Sequence, residues 1–392
     1  MKEGWEYKKL GEVCEMISDG DWIESKDQSL KGIRLVQTGN IGLGCFIDKC
    51  DKKKYISTET FERLKCTEIY EGDCLVSRLP DPIGRACLLP NLLERAITAV
   101  DCSILRFVKV LNPAFFVKYT MSNTYLKEVG KFATGTTRKR ISRKNLQEKI
   151  VVPVPPLAEQ QVIVEELDLL NAIIDKKKEE LEELDKLAQS VFYDMFGDPV
   201  ENEKGWEVKK LGDLASKIGD GLHGTPSYVE SSGYYFVNGN NLEQGSVVYN
   251  KKTKQVSKEE FEKYYIEFGK QTIFVSINGT IGKLAYYKGE QIILGKSACY
   301  INLKANVNKV FVYNILASDY FKKYAMGEKT GSTISNVSLK SIRHFPVPLP
   351  PLPLQQQFAA RISAIEQMKE KVSASMAEVQ TLLAATMDKY FG

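Results

Sequence analysis

The chain carries one unit twice, and no other feature limits its possible folds as much. The stretch "PVPPLAEQQ" at 153–161 returns as "PLPPLPLQQ" at 348–356, with six of nine positions identical. Proline fixes φ and removes a backbone donor, so paired prolines do not sit inside a helix or a central strand. Each copy therefore reads as a rigid extended stop before a new element. Other segments return in the same order. "GWEYKKLGEVCEMISDGDW" at 4–22 comes back as "GWEVKKLGDLASKIGDGLH" at 205–223, and "KYISTETF" at 54–61 as "KQVSKEEF" at 254–261. "VSRLPDPIGR" at 76–85 parallels "VSINGTIGK" at 275–283, and "TGTTRKRISRKNL" at 134–146 parallels "TGSTISNVSLKSI" at 330–342. The molecule reads as two copies of a unit of about 195 residues, with small loop changes between them.

Each unit has two parts. The first, about 150 residues, mixes short β-branched runs with short helices and turns, which predicts an α+β globule. Expected strands are Ile33–Val36, Cys74–Ser77, Cys102–Phe107, Tyr234–Val237, Thr272–Ser276 and Ala298–Leu303. The second part is one long helix. Its apolar seam, at spacings of three and four, is Ile163, Leu167, Leu170, Ile174, Lys177, Leu181, Leu184, Ala188, Val191 and Met195. The second copy gives Phe358, Ile362, Ile365, Lys369, Val372, Met376, Val379, Leu383, Thr386 and Tyr390. A period near 3.5 held over about four heptads argues for a coiled coil. A helix over Leu157–Phe196 would be about 60 Å long. Because a globule separates the two helices, they are expected to pair antiparallel within the chain; a bundle with a partner is the competing use of the same seam. The single seam lysines, Lys177 and Lys369, fall at non-matching positions and suit the setting of register. The expected divisions are a first domain at 1–152, proline stop and central helix at 153–197, a second domain at 198–347, and proline stop and distal helix at 348–392.

Several function classes drop out. No apolar run approaches the ~20 residues of a membrane span, and the N-terminus "MKEGWEYKKL" has no apolar core of a signal peptide. Hydrophobic residues are 43% and charged residues 27%, an ordinary soluble composition that points to the cytoplasm. Seven of the eight cysteines lie between Cys14 and Cys102, with no CxxC, and only His223 and His344 could complete a metal set. Zinc spacing is absent, and the thiols read as small core hydrophobes. Neither histidine is shared by both units, which argues against a catalytic histidine. "NPAF" at 112–115 resembles a methyltransferase motif, but its counterpart "NKVF" lacks the proline. Asn112 reads better as a helix cap with Pro113 in the first turn. "GNIGLG" at 39–44 reads as a hairpin turn.

With a net charge of only +4, a nucleic-acid role rests on local patches. "TTRKRISRK" at 136–144 offers Thr136, Arg138, Lys139, Arg140, Arg143 and Lys144 after a Thr-Gly-Thr loop, groups suited to phosphates. Arg34, Gln37, Thr38 and Asn40 in the first copy, and Asn238, Asn240 and Asn241 in the second, pair a strand with a polar turn. Such side chains can make bidentate contacts to base edges. Asp21 and Trp22, and His223 opposite them, lie in a similar turn. Arg78 in the first copy, with Asn278, Lys283, Lys329 and Ser332 in the second, completes the candidate set. The copies differ most at these polar loops, as one scaffold reading two sequences would.

The repeated "GWE.KKLG" start, the "TG(T/S)T…(I/V)S" segment, the "P.PPL..QQ" stop and the long helix ending in "FG" occur in one order, twice. In these features nearly the whole chain resembles the specificity subunit of type I restriction–modification enzymes. The resemblance implies two target recognition domains, each reading half of a bipartite asymmetric site in double-stranded DNA. It implies an antiparallel coiled coil that sets half-site spacing and docks two modification (methyltransferase) subunits, with restriction (translocase–nuclease) subunits joining them. S-adenosylmethionine, ATP and magnesium would then serve those partners, with no cofactor and no catalysis in this chain. Two alternatives stand beside this reading: a bifunctional enzyme with its own methyltransferase, and a coiled-coil adaptor without DNA binding.

Overall fold

A computed structural model describes residues 2–327 and 336–392. Two compact units emerge, one formed by Met1–Lys178 with Ser373–Gly392, the other by Glu179–Val372. The units cut across both long helices, so each globule takes a section of each helix into its own core.

In the first unit, a four-stranded antiparallel sheet runs in the order Cys14–Asp19, Cys102–Phe107, Cys74–Ser77, Ala86–Leu88. A five-stranded sheet adjoins it in the order Gln28–Ser29, Tyr55–Ile56, Ile33–Val36, Ala96–Thr98, Glu68–Ile69. Helices Pro113–Thr120, Asn123–Lys131 and Arg143–Lys149 contribute Phe115, Phe116, Tyr125, Val129 and Leu146 to the core against the four-stranded sheet. The second unit repeats the plan. Its central sheet has the order Ala215–Asp220, Ala298–Leu303, Thr272–Ser276, Leu284–Tyr286, beside a sheet ordered Tyr228–Val229, Lys254–Val256, Tyr234–Val237, Ile292–Leu294. All six strands expected from β-branched runs form over the expected residues.

The recurring start and the recurring proline stop turn out to be partners. Glu6–Lys9 pairs antiparallel with Val151–Val154, setting Tyr7 opposite Pro153. In the second unit Glu207–Lys210 pairs with Pro346–Leu349, setting Val208 opposite Pro348. A two-stranded clip leaves one edge of each strand free, which is where proline's missing N–H does no harm. The first glutamine after the prolines locks the clip to the globule. Gln160 is 0% exposed; its Oε1 accepts from Asn112 N at 2.7 Å, and its Nε2 donates to Val110 O at 2.9 Å and Pro155 O at 2.7 Å. Gln355 repeats this with Asn308 N at 2.9 Å and Pro350 O at 2.7 Å. Asn112 caps the helix that follows, as the sequence predicts, with Pro113 in the first turn, and Asn308 caps the equivalent helix in the second unit.

The long helices span Leu157–Phe196 and Leu352–Phe391, and every seam position is buried or half-buried. They run antiparallel in each unit. In the first, Tyr390 Oη donates to Glu166 Oε2 at 2.5 Å, and Phe391 packs on Phe115 and Tyr119 with ring centroids 5.5 and 5.6 Å away. In the second, Phe192 and Phe196 pack on Phe358 at 5.7 and 5.1 Å, and Lys369 Nζ meets Asp185 at 2.7 Å. The seam lysine thus finds an acid across the pair.

Cys66, Cys74, Cys87, Cys102 and Cys299 are buried as expected, and desolvation pushes Cys87 and Cys102 up to about 12. Cys45 and Cys50 depart from that reading, since they lie exposed in a surface loop.

Candidate nucleic-acid interface

In both units the polar loops meet at one end of the central sheet. Strand Cys14–Asp19 ends there, and so does Cys74–Ser77, while Cys102–Phe107 begins there. Backbone bonds tie the loops together: Arg78 N donates to Asp101 O at 2.9 Å and Ile141 N to Arg78 O at 3.2 Å. The second unit has the same lacing, Ile277 N to Ser297 O and Val337 N to Ile277 O, both at 2.9 Å. Asn278 bridges to Asn336 at this edge.

The strand-plus-turn candidates divide by burial. Ile33–Val36 delivers Gln37 and Thr38, both half-buried, to a single turn of 3₁₀ helix, Thr38–Asn40. Asn40 is buried beneath them. Its Oδ1 accepts from Gln37 N at 2.9 Å, and its Nδ2 donates to Ile47 O at 2.9 Å. Asn241 does the same, accepting from Asn238 N at 3.0 Å and donating to Val248 O at 3.0 Å. Both asparagines are therefore turn clamps and leave the set of base-facing candidates. Asn240 is exposed, and half-buried Asn238 accepts from Ser297 Oγ at 3.0 Å.

Two arginines expected at the surface are interior. Arg34 is 2% exposed, with Nη2 2.5 Å from Asp48 and Nη1 3.3 Å from Glu94. A buried cation needs such partners, and these hold it away from solvent. Arg78, also 2% exposed, donates to Val100 O and lies 3.4 Å from Asp19. Its counterpart Ile277 is buried too, so this is an inward position in both units. Asp21 is half-buried and accepts from Thr67 N at 3.0 Å; desolvation raises its carboxyl above the usual range.

Arg85 was not among the candidates, yet it organises the site. Its buried guanidinium donates to Ile41 O at 2.6 Å, Thr38 O at 2.8 Å, Leu79 O at 2.9 Å and Pro82 O at 3.0 Å. It fastens the Gln37 turn to the loop after Ser77. The signal is in the match of "IGR" to "IGK", which sets Arg85 opposite the candidate Lys283. Lys283 is half-buried.

The basic segment is a hairpin. Ala133–Thr134 pairs with Arg140–Ile141, and Gly135 turns the chain at φ +119°. Such a φ favours glycine. Thr136, Arg138 and Lys139 sit at the exposed tip, and neither Arg138 nor Lys139 has an ion pair among the described residues. Arg140, on the returning strand, is 3.2 Å from Asp101. Arg143 begins the next helix, 3.9 Å from Asp19, with Lys144 exposed beside it. Trp22 is 68% exposed, and its counterpart His223 is exposed with Nε2 2.7 Å from Asp220. Lys329 and Ser332 lie outside the described residues.

Comparison with known proteins bears on the family and the fold. The family model described as the type I restriction modification DNA specificity domain matches residues 2–186 and again 203–376, one match per repeat. The specificity subunit of the StySPI type I restriction enzyme from Salmonella potsdam is 22% identical over 74% of this chain and 67% of its own length. The putative MjaX specificity subunit from Methanocaldococcus jannaschii is 22% identical over 97% of the chain and 93% of its own. Among solved structures, a chain from a study of assembly and conformational transition of the type I R-M system covers 100% of this chain and 98% of its own, at TM-score 0.63 and 18% identity. The S subunit from M. genitalium covers 99% and 96%, at TM-score 0.54 and 15% identity. With both repeats matched over most of their length, the chain belongs to the type I restriction–modification DNA specificity family.

Proposed function

We propose that the chain is the DNA-reading component of a type I restriction–modification assembly, with each unit reading one half of a bipartite site. One observation carries this: in both repeats polar side chains, exposed or half-buried, gather at the same end of the central sheet on loops laced by the same backbone bonds, and in the first repeat an exposed basic hairpin joins them. Arg138, Lys139, Arg143 and Lys144 are suited to phosphates, which position a protein without conveying sequence. Gln37 and Thr38, Asn238 and Asn240, Asn278 and Lys283, with Trp22 and His223, are suited to base edges. Methyl transfer and cleavage fall to methyltransferase and translocase–nuclease partners, which use S-adenosylmethionine, ATP and magnesium.

The test is domain exchange. Replacing residues 1–149 with those of another family member is expected to change one half of the motif methylated in the host and leave the other intact, because each unit has its own core. Simultaneous change in both halves would refute separate reading.

The paired helices are proposed to set half-site spacing. A heptad inserted within 167–184, matched by one in the second helix, adds about 10 Å of helix, or roughly three base pairs of duplex rise. Methylome sequencing should show a lengthened spacer or lost methylation. An unchanged motif at full occupancy would sink the ruler.

A further inference from the structure

Arg140 differs from its basic neighbours in a way that separates anchor from reader. Arg138 and Lys139 lie at the hairpin tip, whereas Arg140 belongs to the returning strand, opposite Thr134. Its neighbour Ile141 is bonded to Arg78 O, so the backbone here is fixed to the end of the central sheet. The guanidinium is 42% exposed and sits with Nη1 3.2 Å from Asp101 Oδ1. Among the described residues that oxygen makes no hydrogen bond, so the contact is one of charge alone. Asp101 therefore holds the group in place while its N–H donors remain available. A planar fork on a fixed backbone is what two parallel bonds to O6 and N7 of guanine require.

The second unit supports this independently. The lacing that links Asp101, Arg78 and Ile141 links Ser297, Ile277 and Val337 there, which places Asn336 where Arg140 stands. The three residues around the position change together: arginine becomes asparagine, its carboxylate partner becomes Ser297, and Arg78 becomes Ile277. A carboxylate is needed only where there is a cation to hold. Arginine and asparagine are also the side chains that make bidentate contacts, to guanine and to adenine respectively.

We propose that this position is a specificity determinant: Arg140, positioned by Asp101, reads a guanine in the half-site of the first unit. This rests on the DNA-reading function proposed above. The experiment uses the assembled methyltransferase containing the full chain, its methylated motif determined first. Duplexes carrying all four base pairs at each half-site position are then titrated across a salt series. Arg140→Asn is expected to weaken the cognate duplex roughly ten- to a hundredfold and to relax or switch preference at one guanine, with the other positions unchanged. Asp101→Asn, which keeps the arginine but frees it, should relax the same position by a smaller factor. Arg138→Gln should instead weaken all duplexes alike and reduce the salt slope by about one. If Arg140→Asn behaves like Arg138→Gln, Arg140 is a phosphate anchor and the proposal fails. A first-unit half-site without guanine would overturn it before any mutation is made. If the wild-type assembly showed no preference among the duplexes, the DNA-reading function itself would fall instead.

Discussion

Replacing Phe391 with alanine is expected to destabilise by about 3–5 kcal/mol a unit built mainly from residues 1–178. The ring is buried, edge-on to Phe115 and Tyr119, in the same cluster as Ile163 and Leu167 of the first long helix. Truncation forfeits the ring's transfer energy and leaves a cavity among aromatic groups that cannot collapse easily. The equivalent Phe196, against Phe311 and Phe358 at 5.0 and 5.1 Å, should act on the other unit. A chain of two cores need not unfold in one step, so a single melting temperature is a poor readout. Hydrogen exchange resolves the units: Phe391→Ala should speed exchange in strand Cys102–Phe107, and Phe196→Ala in Ala298–Leu303. Equal effects of either variant on both strands would contradict separate cores.

Gln160→Leu is expected to cost on the order of 3–5 kcal/mol despite a similar volume and greater hydrophobicity. The leucine would strand Asn112 N–H and the carbonyls of Val110 and Pro155, all now bonded to the amide. Each unsatisfied buried group costs about 1–3 kcal/mol. Gln355→Leu strands two groups rather than three and should cost less, in its own unit. The neighbour Gln161 is exposed, and among the described residues its side chain is bonded only to Asn112 Nδ2 and Glu165. Gln161→Leu should stay within about 0.5 kcal/mol. Chemical denaturation followed by exchange in each central sheet gives the ranking, and a harmless Gln160→Leu would show that the clip is not held as described.

What the sequence revealed was what is local. The helix seams were readable to the residue because burial repeats every three or four positions within one element. The six strands were readable because β-branched runs ended at turns. The duplication gave the architecture, since two copies of one order imply two copies of one fold. Arg34 was misread because its type and its place beside a polar turn suggest exposure. Its burial depends on Glu94, sixty residues away, and on Asp48 across the loop. Asn40 misled likewise: an asparagine in a turn looks the same whether it faces solvent or fastens the turn from below. The clip between the "GWE" start and the proline stop joins segments nearly 150 residues apart, and periodicity carries no trace of that pairing. Burial and long-range partners are properties of the packed chain.

The recurrence of one small contact bears on connectivity. Lys204 Nζ donates to Asp194 O at 2.6 Å, and Lys2 Nζ donates to Lys389 O, the carbonyl 195 positions further on. Trp5 and Trp206 follow these lysines in the matching "GWE" segments. The first contact is spanned by the continuous chain at 198–204, and the second is held without a covalent link. The backbone is thus topologically close to a cycle with one gap, and the gap could sit at either of two equivalent places. Joining residue 392 to residue 2 through a linker, while opening the chain at 198–204, would leave both hydrophobic cores intact and give up only the local bonds of that segment. The order of the two repeats along the chain is therefore arbitrary with respect to the fold, since either order builds the same two cores.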